Sequence, residues 1–272
     1  MIYFLSDAHL GSRAITNAPE HIQKNVSLLQ QMEKDATAVY LLGDIFDFWY
    51  EYIWEQYQVK DGQILLPRGK EVYRPLLTRL RHMTDRGIEV HFFIGNHDLW
   101  TFGGLSRITG MTVHRTPCSV TLYGKRIYMA HGDGLVPGDY MQRLPQASQQ
   151  RIRRFMYLRA LFHHPAAQWF HRCLPPCLGD AFGYGWARKS RMKELNHPCP
   201  YKGEYNEELV LFAKEQEKNG NRHDYYIFGH RHIDLDLMIT PSARVILLGD
   251  MFKLWTFARM TENGELKLEN YE

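Results

Sequence analysis

Five short apolar runs in this chain each end in a cluster of Asp, His, Asn and Gly. Ile2 to Leu5 leads into Asp7-Ala8-His9, and Ala38 to Leu42 into Gly43-Asp44-Ile45-Phe46-Asp47. The run from Ile88 ends at Gly95-Asn96-His97-Asp98, that from Arg126 at His131-Gly132-Asp133, and that from Tyr225 at Gly229-His230-Arg231-His232. Short apolar runs closed by turn residues read as buried strands. Ligands of open α/β sheets bind outside the carboxyl ends of strands, so five such ends predict one shared polar site.

Helical periodicity separates the first three runs. Ile22, Val26, Leu29 and Met32 fall on one face, and so do Val72, Leu76, Leu80 and Met83 before Gly87. Strand and helix alternate in this half, which implies βαβ units. The end of the chain is strand-rich, with further runs at Leu235 to Ile239, Arg244 to Leu248 and Leu254 to Met260. The expected fold class is therefore α/β, a mixed sandwich within one domain of 272 residues.

Residues 138–203 interrupt the plan. This stretch is helical in pattern and aromatic, and holds 11 Lys/Arg against 3 Asp/Glu. Its net +8 within a chain of +3 leaves −5 for the body. It is read as a basic insertion that caps the core.

Several classes are excluded. No run approaches the ~18 apolar residues of a membrane-spanning helix. The first ten residues show no basic start and no small-residue cleavage site, so the expected location is cytoplasmic. Four cysteines, at 118, 173, 177 and 199, are too sparse for a disulfide scaffold and lack paired zinc spacing. No Ser-His-Asp or Cys-His nucleophile stands out. Imidazole with carboxylate, in contrast, suits divalent Zn, Mn or Fe. Asp7 and His9, two apart on an extended strand, share a face, as do His230 and His232.

The order D-x-H, GD-x-x-D, GNHD, HGD, GH-x-H resembles the calcineurin-like metallophosphoesterase superfamily, and it runs from residue 7 to residue 232. The resemblance implies a four-layer α-β-β-α sandwich holding two divalent metal ions. Carried over by motif, one metal takes Asp7, His9 and His232, the other takes Asn96, His131 and His230, and Asp44 bridges them. His97 and Asp98 are the expected catalytic residues, His97 stabilising the transition state or protonating the leaving oxygen. Asp47, Asp98 and Asp133 are expected to orient ligand imidazoles. Two ions carry +4 against −2 from Asp7 and Asp44, which leaves a centre suited to a phosphate ester.

The insertion must supply specificity. Arg151, Arg153, Arg154 and Arg159 alternate with Ile152, Phe155, Met156, Leu158, Leu161 and Phe162, and Trp169, Phe170, Phe182, Tyr184 and Trp186 follow. This reads as a lid over the active site with a basic and an apolar surface, of the kind that meets anionic lipid. Arg151, Arg154, Trp169 and Phe182 are candidate substrate residues. Basic residues among aromatics also match a base-stacking surface, but the body is acidic and the basic run is local and oily, so no nucleic acid is expected. With Gly43-Asp44-Ile45-Phe46-Asp47-Phe48-Trp49, the combination is similar to the UDP-2,3-diacylglucosamine hydrolase family of lipid A synthesis. That resemblance implies pyrophosphate hydrolysis of a lipid-linked nucleotide sugar, manganese with Fe or Zn as alternatives, and a peripheral position on the inner-membrane surface. Many members have Arg where His97 stands here. Another nucleotide or phosphodiester substrate is the alternative.

Overall fold

The computed structural model describes residues 1–12, 14, 15, 17–179, 181, 185 and 200–272. Two sheets face each other. The first has six strands in the order β13-β12-β1-β2-β5-β6. Here β1 is Ile2–Leu5, β2 Ala38–Leu41, β5 Glu89–Phe93, β6 Thr112–His114, β12 Thr256–Met260 and β13 Leu266–Asn270. The second has five, β10-β11-β9-β8-β7, with β7 Cys118–Leu122, β8 Lys125–Ala130, β9 Tyr225–Phe228, β10 Asp234–Thr240 and β11 Ala243–Leu248. A small hairpin pairs β3 (Gln58–Lys60) with β4 (Gln63–Leu65).

The central strands are parallel and buried on both faces, which is why they read as unbroken apolar runs. Alternate residues go to different layers. Ile2, Phe4, Tyr40 and Leu42 meet Ile127, Tyr225, Ile227 and Ile246 between the sheets. Tyr3, Leu5, Val39 and Leu41 face the other way, towards α1 (Ala18–Met32), α2 (Arg74–Asp85) and α3 (Gly104–Thr109). Tyr226 and Phe228 pack under the helix Glu208–Lys218, numbered α7 below. The product is the expected α-β-β-α sandwich.

Two boundaries differ from expectation. Val72 is 43% exposed in a single 3₁₀ turn, because Pro75 at the start of α2 sets the helix beginning after it. The last long strand opens at Thr256, not Leu254, because Asp250 Oδ1 accepts the amides of Phe252, Lys253 and Leu254 in a turn.

Between β8 and β9 lie α4 (Gly138–Arg143), α5 (Gln146–His163) and α6 (Pro165–Arg172). Neither α5 nor α6 has a fully buried residue. The expected division of α5 into a basic and an apolar surface is not found. At 100° per residue its arginines and apolar side chains alternate around the circumference, and Phe155, Tyr157 and Leu161 are exposed. Among the described residues no helix is long and apolar enough to cross a membrane. Cys118, Cys173 and Cys177 are free thiols, and Cys199 lies outside the described residues.

Candidate metal centre

Because β1, β2, β5, β8 and β9 run parallel or lie in facing sheets, their carboxyl ends open on one edge of the sandwich. Their loops are tied together by backbone. The Asp7 amide donates to Gly43 O, the His9 amide to Asp44 O, and the Gly229 amide to His131 O. Glycine permits the close approach. A Cβ on Gly43, whose φ is +86°, would lie 2.6 Å from the His131 ring, and one on Gly229 would lie 2.5 Å from Asp7 Oδ2.

Three potential ligand groups result among the described residues. Asp7, His9 and His232 present atoms within 4.8 Å of one another, and so do Asp44, His131 and His230; His9 with Asp47 and His97 forms the third, which shares His9 with the first. The first two are the ones that Asp44 joins. Nε2 of His9 and Nε2 of His232 are 3.2 Å apart, and Asp7 Oδ1 is 3.1 Å from His232 Nε2. Asp44 Oδ2 is 3.3 Å from His131 Nε2 and 4.0 Å from His9 Nε2, so this one oxygen faces both groups. Asn96 Oδ1 approaches His131 Nε2 at 3.3 Å. His131 Nδ1 donates to Leu42 O at 2.8 Å, which directs its Nε2 into the cluster. These donors fit two divalent cations: carboxylate, imidazole and carboxamide atoms converge, with one carboxylate between the groups.

The backbone is strained here. Nine non-glycine residues among those described have positive φ, and Asp7, His9, Asp44, His230 and His232 are five of them. Such strain gathers where side-chain placement serves function. Burial opposes ionisation of Asp7, but the charge of His232 and hydrogen bonds from His232 and His9 outweigh it and hold the carboxyl well below its ordinary range. Burial likewise opposes ionisation of Asp44, and His131 and His97 reverse the balance. Burial and then the neighbouring His131 push His230 down to about 4, so its imidazole is neutral and ready to ligate.

His97 is buried, its ring edge-on to His9 at 5.0 Å. Its amide donates to Asp44 Oδ1 and its Nδ1 to Asp47 O, both at 2.8 Å. Asp98 does not sit as the acidic partner of that imidazole. Its oxygens accept the amides of Gly95 (2.6 Å) and Ile45 (2.9 Å), so it clamps two motif loops together. Burial and then Asp44 raise its carboxyl to about 7. The carboxylate beside the imidazoles is Asp47, 3.6 Å from His9 Nδ1 and 4.0 Å from His97 Nδ1. Asp133 accepts from Arg159 Nε of α5 at 2.5 Å, an insertion contact and not the expected imidazole contact.

Arg151 lines a cavity beside His230 and Arg231, with Ile152, Phe155 and Leu209. Arg154 and Trp169 are exposed on α5 and α6. Phe182 lies outside the described residues, as do Tyr184 and Trp186.

Two neighbours of the site were not foreseen. The Phe252 ring packs on His9 and His232, at 5.8 and 5.4 Å. Glu207, fully buried, takes Arg231 at Nε (2.5 Å) and Nη2 (3.1 Å), gripping the residue between two ligands. Arg159, expected on the basic surface of the lid, turns to Asp133.

A family model described as calcineurin-like phosphoesterase matches residues 1–234, and the chain belongs to that family. At a finer level, it is 34% identical over 281 aligned positions to a UDP-2,3-diacylglucosamine hydrolase of Porphyromonas gingivalis, covering 100% of this chain and 97% of the relative. A protein of the same name from Haemophilus influenzae is 30% identical, covering 97% and 96%. A solved dimetal phosphatase from Danio rerio is similar over 100% of this chain and 98% of its own, with 13% identity and a TM-score of 0.47.

Proposed function

We propose that this chain hydrolyses the pyrophosphate of UDP-2,3-diacylglucosamine to UMP and 2,3-diacylglucosamine 1-phosphate, using two divalent ions, manganese first among them. The observation that carries the chemistry is Asp44 Oδ2, which faces both His9 and His131 and so joins the two ligand groups. The full-length likeness to the Porphyromonas hydrolase supports the substrate.

Asp7, His9 and His232 would hold one ion, Asn96, His131 and His230 the other, with Asp44 shared between them. Bound there, the pair supplies Lewis acidity toward phosphoryl oxygens and an activated water. The chain's own residues do the rest. His131 is kept in one tautomer by Leu42 O. Asp98 sets the spacing of the Asp44 and Asn96 loops. His97, fastened through Nδ1 to Asp47 O, turns its far ring edge to the reacting phosphate, to offset charge or donate a proton to the leaving oxygen. Residues 138–203 form the lid: Arg151 and Arg154 meet phosphate, Ile152, Phe155 and Trp169 meet acyl chains, and the same oily, basic surface rests on the inner membrane from the cytoplasmic side. Phe182 completes the proposed set.

An assay with manganese and UDP-2,3-diacylglucosamine should release UMP. Cleavage of a chromogenic phosphodiester with no UMP from the lipid would leave the phosphoesterase chemistry and refute the substrate.

A further inference from the structure

The helices α5 and α6 bury no residue completely, so few contacts fix where they sit. Arg172 of α6 meets Glu51 O, the Ile53 amide and the Phe102 ring, and the contacts of α5 reach the catalytic loops. Arg159 Nε donates to Asp133 Oδ2, two residues from His131. The helix comes so close there that a Cβ on Gly134, φ +76°, would lie 2.9 Å from Arg159 Cδ and 3.3 Å from Met156 Sδ. One turn on, the Phe162 ring meets Trp100, three residues from His97, at 5.7 Å. Trp100 also meets His171 of α6 at 5.0 Å. Met156, Arg159 and Phe162 share one face of α5. Trp100 in turn stacks on Tyr50 at 5.1 Å and bridges to it through the backbone, which ties in the loop bearing Asp44 and Asp47.

We infer that Arg159 and Phe162 are positioning residues: one face of α5 spans the centre and fastens the loop of His131 to the loop of His97, so that seating of the insertion and posture of the catalytic loops are linked. This rests on the phosphoesterase centre proposed above and not on its lipid substrate. Arg159 acts through Asp133 and Phe162 through Trp100.

The test uses Arg159→Gln, Arg159→Lys and Phe162→Ala in the full chain, with hydrogen exchange across residues 146–172, metal content, and kinetics on a chromogenic phosphodiester. Arg159→Gln and Phe162→Ala should each speed exchange over α5 by about 10-fold. They should lower kcat roughly 10-fold with KM and bound metal unchanged. Arg159→Lys, which keeps the charge, should recover part of both. Phe162 packs on the rim of the core that holds Trp100 and is not one of its buried members, so Phe162→Ala leaves that core's own residues in place. Unchanged exchange in both variants would overturn the inference. So would faster exchange with unaltered kcat, which would mean that seating and chemistry are independent. Failure of the lipid reading would show separately, as a wild-type protein that cleaves the diester but yields no UMP.

Discussion

At the scale of single residues, the centre is a set of strained strand ends whose side chains have few other uses. Asp44 carries the largest share: Oδ1 accepts the His97 amide while Oδ2 faces His9 and His131. Asp44→Ala should abolish turnover and reduce bound metal, measured by elemental analysis, since loss of a shared buried anion leaves two cations uncompensated, at several kcal/mol. A variant that kept two metals and near-normal turnover would refute the two-metal arrangement. His97 should behave differently. Its Nδ1 is held by Asp47 O, and although its ring joins His9 and Asp47 in the third group, it belongs to neither of the two groups that Asp44 faces, so His97→Ala should lower kcat by roughly 10²–10⁴-fold with metal retained. His97→Arg should regain part of the loss if charge outweighs proton transfer. Metal loss in His97→Ala would instead make it a ligand. The candidate ligands were legible because each follows an apolar run by one to four residues. The roles of Asp98 and Asp133 were not, because adjacency in sequence says nothing about which way a carboxylate turns: Asp98 turns back to amides 53 and 3 residues away.

At the scale of elements, the doubly buried parallel strands were readable from composition alone, whereas β6, β7 and β13 were not. These lie at sheet edges with partly exposed faces, so their patterns are short and mixed. The ties between helices were equally hidden, because they join residues far apart in sequence. Glu33, at the end of α1, is 6% exposed and accepts from Arg79, His82 and Arg86 of α2 and its cap. Burial alone would raise its carboxyl, but the hydrogen bonds from Arg86, Arg79 and His82 hold it below the ordinary value. A carboxyl held low adds stability that is complete above its unfolded-state value, near about 4.3, and is lost as pH falls through the lower folded-state value. Glu33→Gln should therefore cost about 1–2 kcal/mol at pH 7, reduced because Arg86 is half exposed. The difference from wild type in urea melts should shrink as pH falls below about 4. A difference that stayed constant down to pH 3 would mean that Glu33 contributes by packing and not by charge.

At the scale of the whole molecule, two chemically distinct parts share one chain: an acidic sandwich that builds the centre and a basic, oily segment laid beside it. The inner side of α5 reaches the motif loops through Arg159 and Phe162. Arg153 and Arg154 lie on exposed positions of the same helix among Phe155, Tyr157 and Leu161, and Trp169 and Phe170 of α6 add 65% and 61% exposed rings. An apolar patch of this kind, set among cations, suits a surface of anionic headgroups over acyl chains. Charge alternates around α5, so attraction should depend on the number of arginines reversed more than on which are chosen. Reversal of Arg151, Arg153 and Arg154 to Glu should weaken binding to phosphatidylglycerol vesicles by about 1 kcal/mol per residue, and salt should weaken the wild type likewise. Sedimentation with vesicles checks both. Arg159 is left intact, so hydrogen exchange over α5 should stay close to wild type. If vesicle binding fell and exchange rose together, the arginines would be holding the segment in place and not meeting lipid. If vesicle binding did not fall, the basic surface would have a different partner from the membrane.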